Sequence, residues 1–360
     1  MNLSNKLKSA NVILQPRKLY YSPQWLVLGV NNICNLHCKM CDVGTSTEDT
    51  NFAINLVGTQ PMNMPLDLIK NIYDQAASFF PHTKMGYAFT EPLLYPHLIE
   101  SIQYATEKNL YTSVTTNALN LKKHAADLCK VGLKEIMISL DGPEEIHNYI
   151  RGHKSSFQRA IEGIELLLEN KNRPRISVFC VITEWNTSQL KSFVDYFSKY
   201  PLHQLGFMHT NFTPPTIAAY HNQYWGDKYP ATVSNIAETQ IETTNLAELW
   251  SQIKAIKETS YPFQVTFSPE IKSKDDLNKF YLHPDKLIGK RCNDAFSNIM
   301  IKSDGSVIPS HGRCYNLTVG NIYQNSLKEI WNSKILGQFR NDLIKAGGLF
   351  PACSRCCSAF

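Results

Sequence analysis

The sequence predicts an α/β protein: a partial (βα)6 barrel followed by a small C-terminal Cys-rich module of a β-hairpin plus a helix. Three observations predict it. Short β-rich runs alternate with stretches of helical period from residue 25 to residue 209, the order of a parallel sheet with right-handed crossovers. That alternation stops near residue 210, and a hairpin signature, Ser303-Asp304-Gly305-Ser306, follows much later. Eight of the ten cysteines fall in two groups, one directly after the first predicted strand and one beyond residue 290.

Each element has a local reason. WLVLGV (25–30) is the first strand. Pro65 opens an amphipathic helix over 66–80, because proline at the first helical position gives up an amide that has no helical partner anyway. Strands over 85–90, 111–116, 135–140, 175–183 and 205–209 alternate with helices over 97–108, 121–131, 156–169 and 188–200. Gly132 closes the helix at 121–131. Six strands over ~200 residues suit a partial barrel, since the full eight-unit form needs about 250.

Four regions follow: an extension over 1–24, the barrel over 25–245, a connecting helix (246–259) and linker to 289, and an auxiliary module over 290–360. In the last, strands at 299–302 and 307–309 flank Gly305, and a helix over 326–345 ends at Gly347-Gly348. The module is expected to be an appendage to the barrel. Residues 210–245 form an insertion near the barrel mouth, rich in proline and aromatics. Long irregular segments often serve function, so His209, Asn211, His221, Tyr224 and Trp225 are candidates for substrate contact.

Composition narrows the function classes. With 43% hydrophobic and 19% charged residues the chain buries a sizeable core, which excludes a disordered or fibrous protein. The formal charge of +5 contains no dense basic run, so nucleic acid is not an expected partner. No run of ~18 apolar residues spans a membrane and the N-terminus lacks a signal-peptide core. The expected location is the cytoplasm, where thiols stay reduced and ten cysteines point to metal or redox chemistry.

Cys34, Cys38 and Cys41 stand as C-x3-C-x2-C in CNLHCKMC, at the C-terminal end of the first strand, where barrel enzymes keep their chemistry. Thiolates select zinc, Cu(I) or iron–sulfur clusters. A structural zinc wants four ligands and only His37 lies nearby, whereas three thiolates on a four-iron cluster leave one iron open.

This loop resembles the signature of radical S-adenosylmethionine (SAM) enzymes, in which the open iron of a [4Fe-4S] cluster binds SAM. One electron then splits the sulfonium to give a 5′-deoxyadenosyl radical that abstracts substrate hydrogen. Further motifs agree with the resemblance. Phe89-Thr90-Glu91-Pro92 occupies the place of the family's Gly-Gly-Glu-Pro, with both glycines replaced. Thr116-Asn117-Ala118 resembles Thr-Asn-Gly, and the run from Ser139 through Asp141-Gly142-Pro143 and His147 to Arg151-Gly152 resembles a segment of members with a C-terminal cysteine domain. The resemblance implies SAM contacts at Met40 (adenine), Glu91 (amino group), Asn117, Ser139 (ribose) and Arg151 (carboxylate). Arginine suits the last role because its planar fork pairs a carboxylate bidentately. The residues alone also allow a surface ion pair at Arg151, helix-end charge compensation at Glu91 and a plain turn at Asp141-Gly142.

Cys292, Cys314, Cys353, Cys356 and Cys357 crowd the C-terminal module. Their order resembles the SPASM/Twitch extension of radical SAM enzymes. Five cysteines suit the one-cluster Twitch form, implying a second, auxiliary [4Fe-4S] cluster on Cys292, Cys314, Cys353 and Cys356, with Cys357 as a substitute or bystander. Ser310 stands where many relatives have a cysteine. A structural zinc on four cysteines is the competing assignment. Cys129 and Cys180 read as core residues. A hydrogen-atom donor at Cys180, which would make the enzyme an epimerase, is the sharper alternative.

The functional expectation is a radical SAM oxidoreductase-type enzyme performing a redox modification, dehydrogenation or epimerisation, of a small sugar- or aminocyclitol-like molecule. A reductant such as flavodoxin or ferredoxin is its expected partner. A maturase of ribosomally made peptides is the alternative, placed second because only 1–24 precede the first strand, too few for a leader-recognition domain. A non-catalytic iron–sulfur carrier or zinc scaffold is the alternative from another class.

Overall fold

Ten strands form a single sheet in the computed structural model, which describes residues 3–359. Seven run parallel in chain order: β1 (Trp25–Gly29), β2 (Lys84–Tyr87), β3 (Tyr111–Thr116), β4 (Glu135–Ser139), β5 (Arg175–Ile182), β6 (Gln204–His209) and β7 (Gln264–Ser268). β8 (Asn298–Lys302), β9 (Ser306–Pro309) and the short β10 (Gly320–Asn321) extend the other edge. The α/β class and the parallel barrel strands agree with the sequence reading, and helices such as Leu66–Phe79, Leu98–Glu107 and Leu121–Lys130 fill the predicted crossovers.

Alternate strand residues bury against these helices. On β5, Val178, Cys180 and Ile182 are fully buried, while Phe179 and Val181 are half-exposed on the concave face. The same alternation leaves Thr115, Met137, Ser139 and Met208 partly open there. A curved sheet covered by helices on one side thus keeps an accessible lumen on the other.

Three departures have physical causes. First, residues 246–289 are more than a helix and linker. They supply β7, which pairs with β6 from Gln204↔Gln264 to Met208↔Ser268. As an edge strand it is half-exposed, so its sequence lacks a strong apolar run. Second, the hairpin is no separate appendage: β8 lies parallel to β1 from Trp25↔Asn298 to Gly29↔Lys302, and β9 pairs antiparallel with β8. Gly305, at φ +77°, supplies the left-handed turn between them. Third, the predicted 326–345 helix is two, Leu327–Trp331 and Lys334–Lys345. Ser333 caps the second by accepting a hydrogen bond from the Leu336 N–H. Within 1–24 a helix spans Leu3–Leu14.

Candidate metal centres

The loop after β1 carries Cys34 exposed, Cys41 half-buried and Cys38 buried, all with free thiols. Neighbouring strand ends hold it in place. The Glu91 N–H donates to the Ile33 carbonyl (3.1 Å), and the Asn31 side chain donates to the Glu91 carbonyl (2.9 Å). The Glu91 carboxylate is buried and accepts from Leu93 N–H (2.9 Å), Thr116 Oγ1 (2.7 Å) and Asn117 N–H (2.8 Å). Burial raises its pKa, and these donors oppose the rise. Asn117 in turn donates to Asn35 Oδ1 (2.8 Å), with its amide nitrogen 3.9 Å from Cys34 Sγ.

Two glycines permit the loop's close packing. A Cβ on Gly44 would lie 2.4 Å from the Cys38 carbonyl oxygen, and one on Gly152 would lie 2.7 Å from that of His37. Of the three positions where the motifs lack glycine, two keep a left-handed backbone, Phe89 at φ +87° and Ala118 at φ +61°. That conformation is costly for a residue with a Cβ and persists only where surrounding packing enforces it. Phe89 is held by a stack on His311 (5.7 Å) and an edge contact with Phe52 (6.2 Å).

Arg151 is buried, so it is not the surface ion pair that the residues alone allow. Its Nε donates to Asp141 Oδ2 at 2.5 Å, and Nη1 lies 3.7 Å from Cys38 Sγ. Asp141 is fully buried, and its other oxygen accepts from Val181 N–H (2.8 Å). Asp141 is therefore part of the site, although in sequence Asp-Gly reads as an ordinary turn. The Arg151 cation partly offsets the burial that pushes the Cys38 thiol up to about 12. Met40 packs with Leu36, Cys38, Leu119 and Ile150 beneath the loop, and Ser139 ends β4 with its side chain half-exposed.

The second group converges from distant segments. Cys292, Cys314, Cys353 and Cys356 line one cavity with about 820 Å³ of empty space, its opening to solvent included. Asn51, Phe52, Asn211, Ser310, His311 and Arg313 are among its other walls. Cys357 is not among the lining residues. Its sulfur sits 3.9 Å from His311 Nε2, which also bonds Ser358 Oγ at 2.9 Å. Within the C-x2-C turn, the buried Arg355 donates to the carbonyls of Lys279 (2.7 Å), His283 (2.6 Å) and Lys286 (3.0 Å), pinning Cys353 and Cys356 to the end of the Lys274–Leu282 helix. Sequence reasoning missed that anchor, because a lone arginine between cysteines has no spacing signal.

Most insertion residues do not face a substrate space. His209 is buried with Nδ1 2.9 Å from the Tyr281 hydroxyl, and burial lowers its pKa to about 3. His221 is fully buried against Tyr315, Trp225 packs on Phe350 (4.6 Å), and Tyr224 is exposed. Asn211 alone of the five lines the cavity. Cys180 lies in the core between sheet and helices, its sulfur 3.7 Å from Asn186 Nδ2. From there it does not reach the lumen, which removes the support for a hydrogen-atom donor.

The donor sets fit iron–sulfur groups. Three thiols share one partly open loop at the C-terminal edge of the sheet, and four more surround one cavity. Among the described residues, His311, Cys356 and Cys357 have donor atoms within 4.8 Å of one another, close enough to hold a metal ion. No described helix is long and apolar enough to cross a membrane.

Comparison with known proteins gives the family. Residues 29–197 match the model of the radical SAM superfamily, and residues 292–357 match SPASM, an iron–sulfur cluster-binding domain. An AdoMet-dependent heme synthase of Methanosarcina barkeri (strain Fusaro / DSM 804) is 25% identical, over 86% of this chain and 82% of that protein. A cysteine-type anaerobic sulfatase-maturating enzyme of Clostridium novyi (strain NT) is 22% identical, over 87% and 80%. The crystal structure of Streptococcus suis SuiB bound to precursor peptide SuiA has the same fold, with a TM-score of 0.62 and 17% identity over 98% of this chain and 75% of that one. With a SAM-binding [4Fe-4S] domain followed by an iron–sulfur SPASM domain, the chain belongs to the radical SAM superfamily.

Proposed function

We propose that this enzyme removes hydrogen from a peptide or protein side chain bound in the barrel lumen and completes a two-electron oxidation there. The observation that carries the redox outcome is the one cavity that Cys292, Cys314, Cys353 and Cys356 line together. Four protein thiolates saturate a cubane, so such a centre has no position for substrate and is suited to exchanging electrons. The three-thiol loop of Cys34, Cys38 and Cys41 leaves one position for SAM, whose reductive cleavage supplies a 5′-deoxyadenosyl radical.

The chain's own residues orient and shield. Glu91 holds the Ile33 carbonyl before Cys34, Asn117 holds the Asn35 side chain after it, and Arg151, locked by Asp141, sets positive charge beside Cys38. Contacts of Met40, Glu91, Asn117, Ser139 and Arg151 with SAM belong to this proposal. Arg151 would reach a carboxylate with the guanidinium edge that Asp141 leaves unused. Leu119, Ile150 and Trp185 pack against the buried side of the loop.

The peptide assignment is supported by two relatives, a sulfatase-maturating enzyme and a protein crystallised with its precursor peptide. A small sugar- or aminocyclitol-like substrate gains nothing from them. A cytosolic location, with a low-potential flavodoxin or ferredoxin as reductant, suits ten free thiols.

The test is anaerobic reconstitution followed by dithionite and SAM. Formation of 5′-deoxyadenosine, with deuterium transferred from a labelled peptide and not from labelled sugars, is the expected result. Absence of SAM turnover with every candidate substrate would favour a non-catalytic carrier, and zinc in place of iron would favour a scaffold.

A further inference from the structure

Tyr315 follows Cys314 and is buried, with its hydroxyl 3.4 Å from Cys353 Sγ. As a free thiol Cys353 could be donor or acceptor. Once its sulfur carries a metal it has no proton, so the phenol is the donor. Another of these sulfurs, Cys292 Sγ, has the Ala295 N–H at 3.5 Å.

The barrel-mouth insertion fixes the Tyr315 ring. His221, on the Pro215–Trp225 helix, stacks on it at 5.2 Å and 17°. His221 Nε2 is 2.7 Å from the Tyr229 carbonyl, which can only accept, so Nε2 bears the proton and Nδ1, buried and unpartnered, is bare. The Tyr229 hydroxyl donates to Asp342 Oδ2 at 3.0 Å, which anchors the insertion to the C-terminal helix. Phe350 (5.8 Å) and Phe339 (6.1 Å) close the cage around Tyr315. A neutral, stacked histidine thus holds a phenol in place, and the phenol points at a sulfur.

We propose that Tyr315 tunes the reduction potential of the auxiliary cluster through its hydrogen bond to Cys353, and that the His221 stack is the insertion's means of holding it there. The proposal rests on Cys353 being a ligand of that cluster. Reduction adds negative charge, which a donor to sulfur stabilises and an apolar cage disfavours, so the bond raises a potential that the cage lowers. His221 is then a positioning residue, acting only through Tyr315.

The experiment uses the full chain carrying Cys34→Ala, Cys38→Ala and Cys41→Ala, so that only the auxiliary site is loaded, with and without Tyr315→Phe or His221→Ala. Iron content is measured, and the midpoint potential follows from an EPR-monitored titration. The expected result is unchanged iron, a more negative midpoint in Tyr315→Phe, and a smaller shift the same way in His221→Ala. In deuterated buffer, an exchangeable deuteron coupled to the reduced cluster, beyond those of backbone amides such as Ala295, is expected in the parent and lost in Tyr315→Phe. The parent signal can be read even if a variant misfolds. Normal iron with an unmoved midpoint, or no coupled deuteron in the parent, would overturn the tuning role alone. Absence of iron in the parent would overturn the cluster assignment and the tuning role with it.

Discussion

The two cysteine regions solve opposite problems. Cys34, Cys38 and Cys41 lie within eight consecutive residues, on a loop whose first cysteine is exposed. The C-terminal four come from a pre-strand loop, a post-hairpin turn and the chain's last turn, and they meet only inside a walled cavity. A short loop with an open face keeps a coordination position free, and a closed set of four uses every position. On the proposed assignment, the difference is that the first region admits a ligand and the second refuses one.

Substitutions break this contrast in order of effect. Cys38→Ala should abolish 5′-deoxyadenosine formation and drop iron from about eight to about four per chain, two cubanes becoming one, by iron assay and product chromatography. Cys353→Ala should lose the same iron yet keep SAM cleavage, while product from substrate disappears. Equal loss of SAM cleavage in both variants would erase the distinction between the regions.

Arg151→Met leaves the buried Asp141 carboxylate unpaired and should destabilise the fold by about 3–5 kcal/mol in denaturant titration. The matching change at the other region, Cys357→Ala, should cost far less and leave the iron content intact, since Cys357 lies outside the cavity lining.

pH gives a smaller effect. Burial lowers the pKa values of His209, to about 3, and of His147. The unfolded chain therefore binds more protons than the folded one below the ordinary histidine value. Stability is full above about pH 6.5 and falls as pH drops toward the folded-state values. His209 alone should cost on the order of 1–2 kcal/mol between pH 7 and pH 5, seen as a falling Tm. Smallest of all, Ala118→Gly should relieve left-handed strain at φ +61° and leave Tm unchanged or slightly raised, with the lost methyl offsetting the gain.

Chemistry was legible in the sequence wherever it depends on near neighbours. The spacing of Cys34, Cys38 and Cys41, the βα alternation and the Gly305 turn are local patterns, set by thiolate chemistry, apolar periodicity and backbone sterics. The Phe89 and Ala118 substitutions looked like departures from a glycine motif, yet packing imposes the glycine conformation on both. His221 and Trp225 looked like substrate contacts because an aromatic loop has the same composition whether it faces a ligand or a core.

By itself, the sequence determined the superfamily, the parallel barrel strands and the three-thiol loop, since each follows from residues close together in the chain. Only the tertiary structure decided that Arg151 is paired with Asp141, that β7 and the hairpin complete one sheet, and that the insertion walls the second cysteine site. These depend on contacts between residues far apart in sequence, whose partners are chosen by burial and shape and not by spacing.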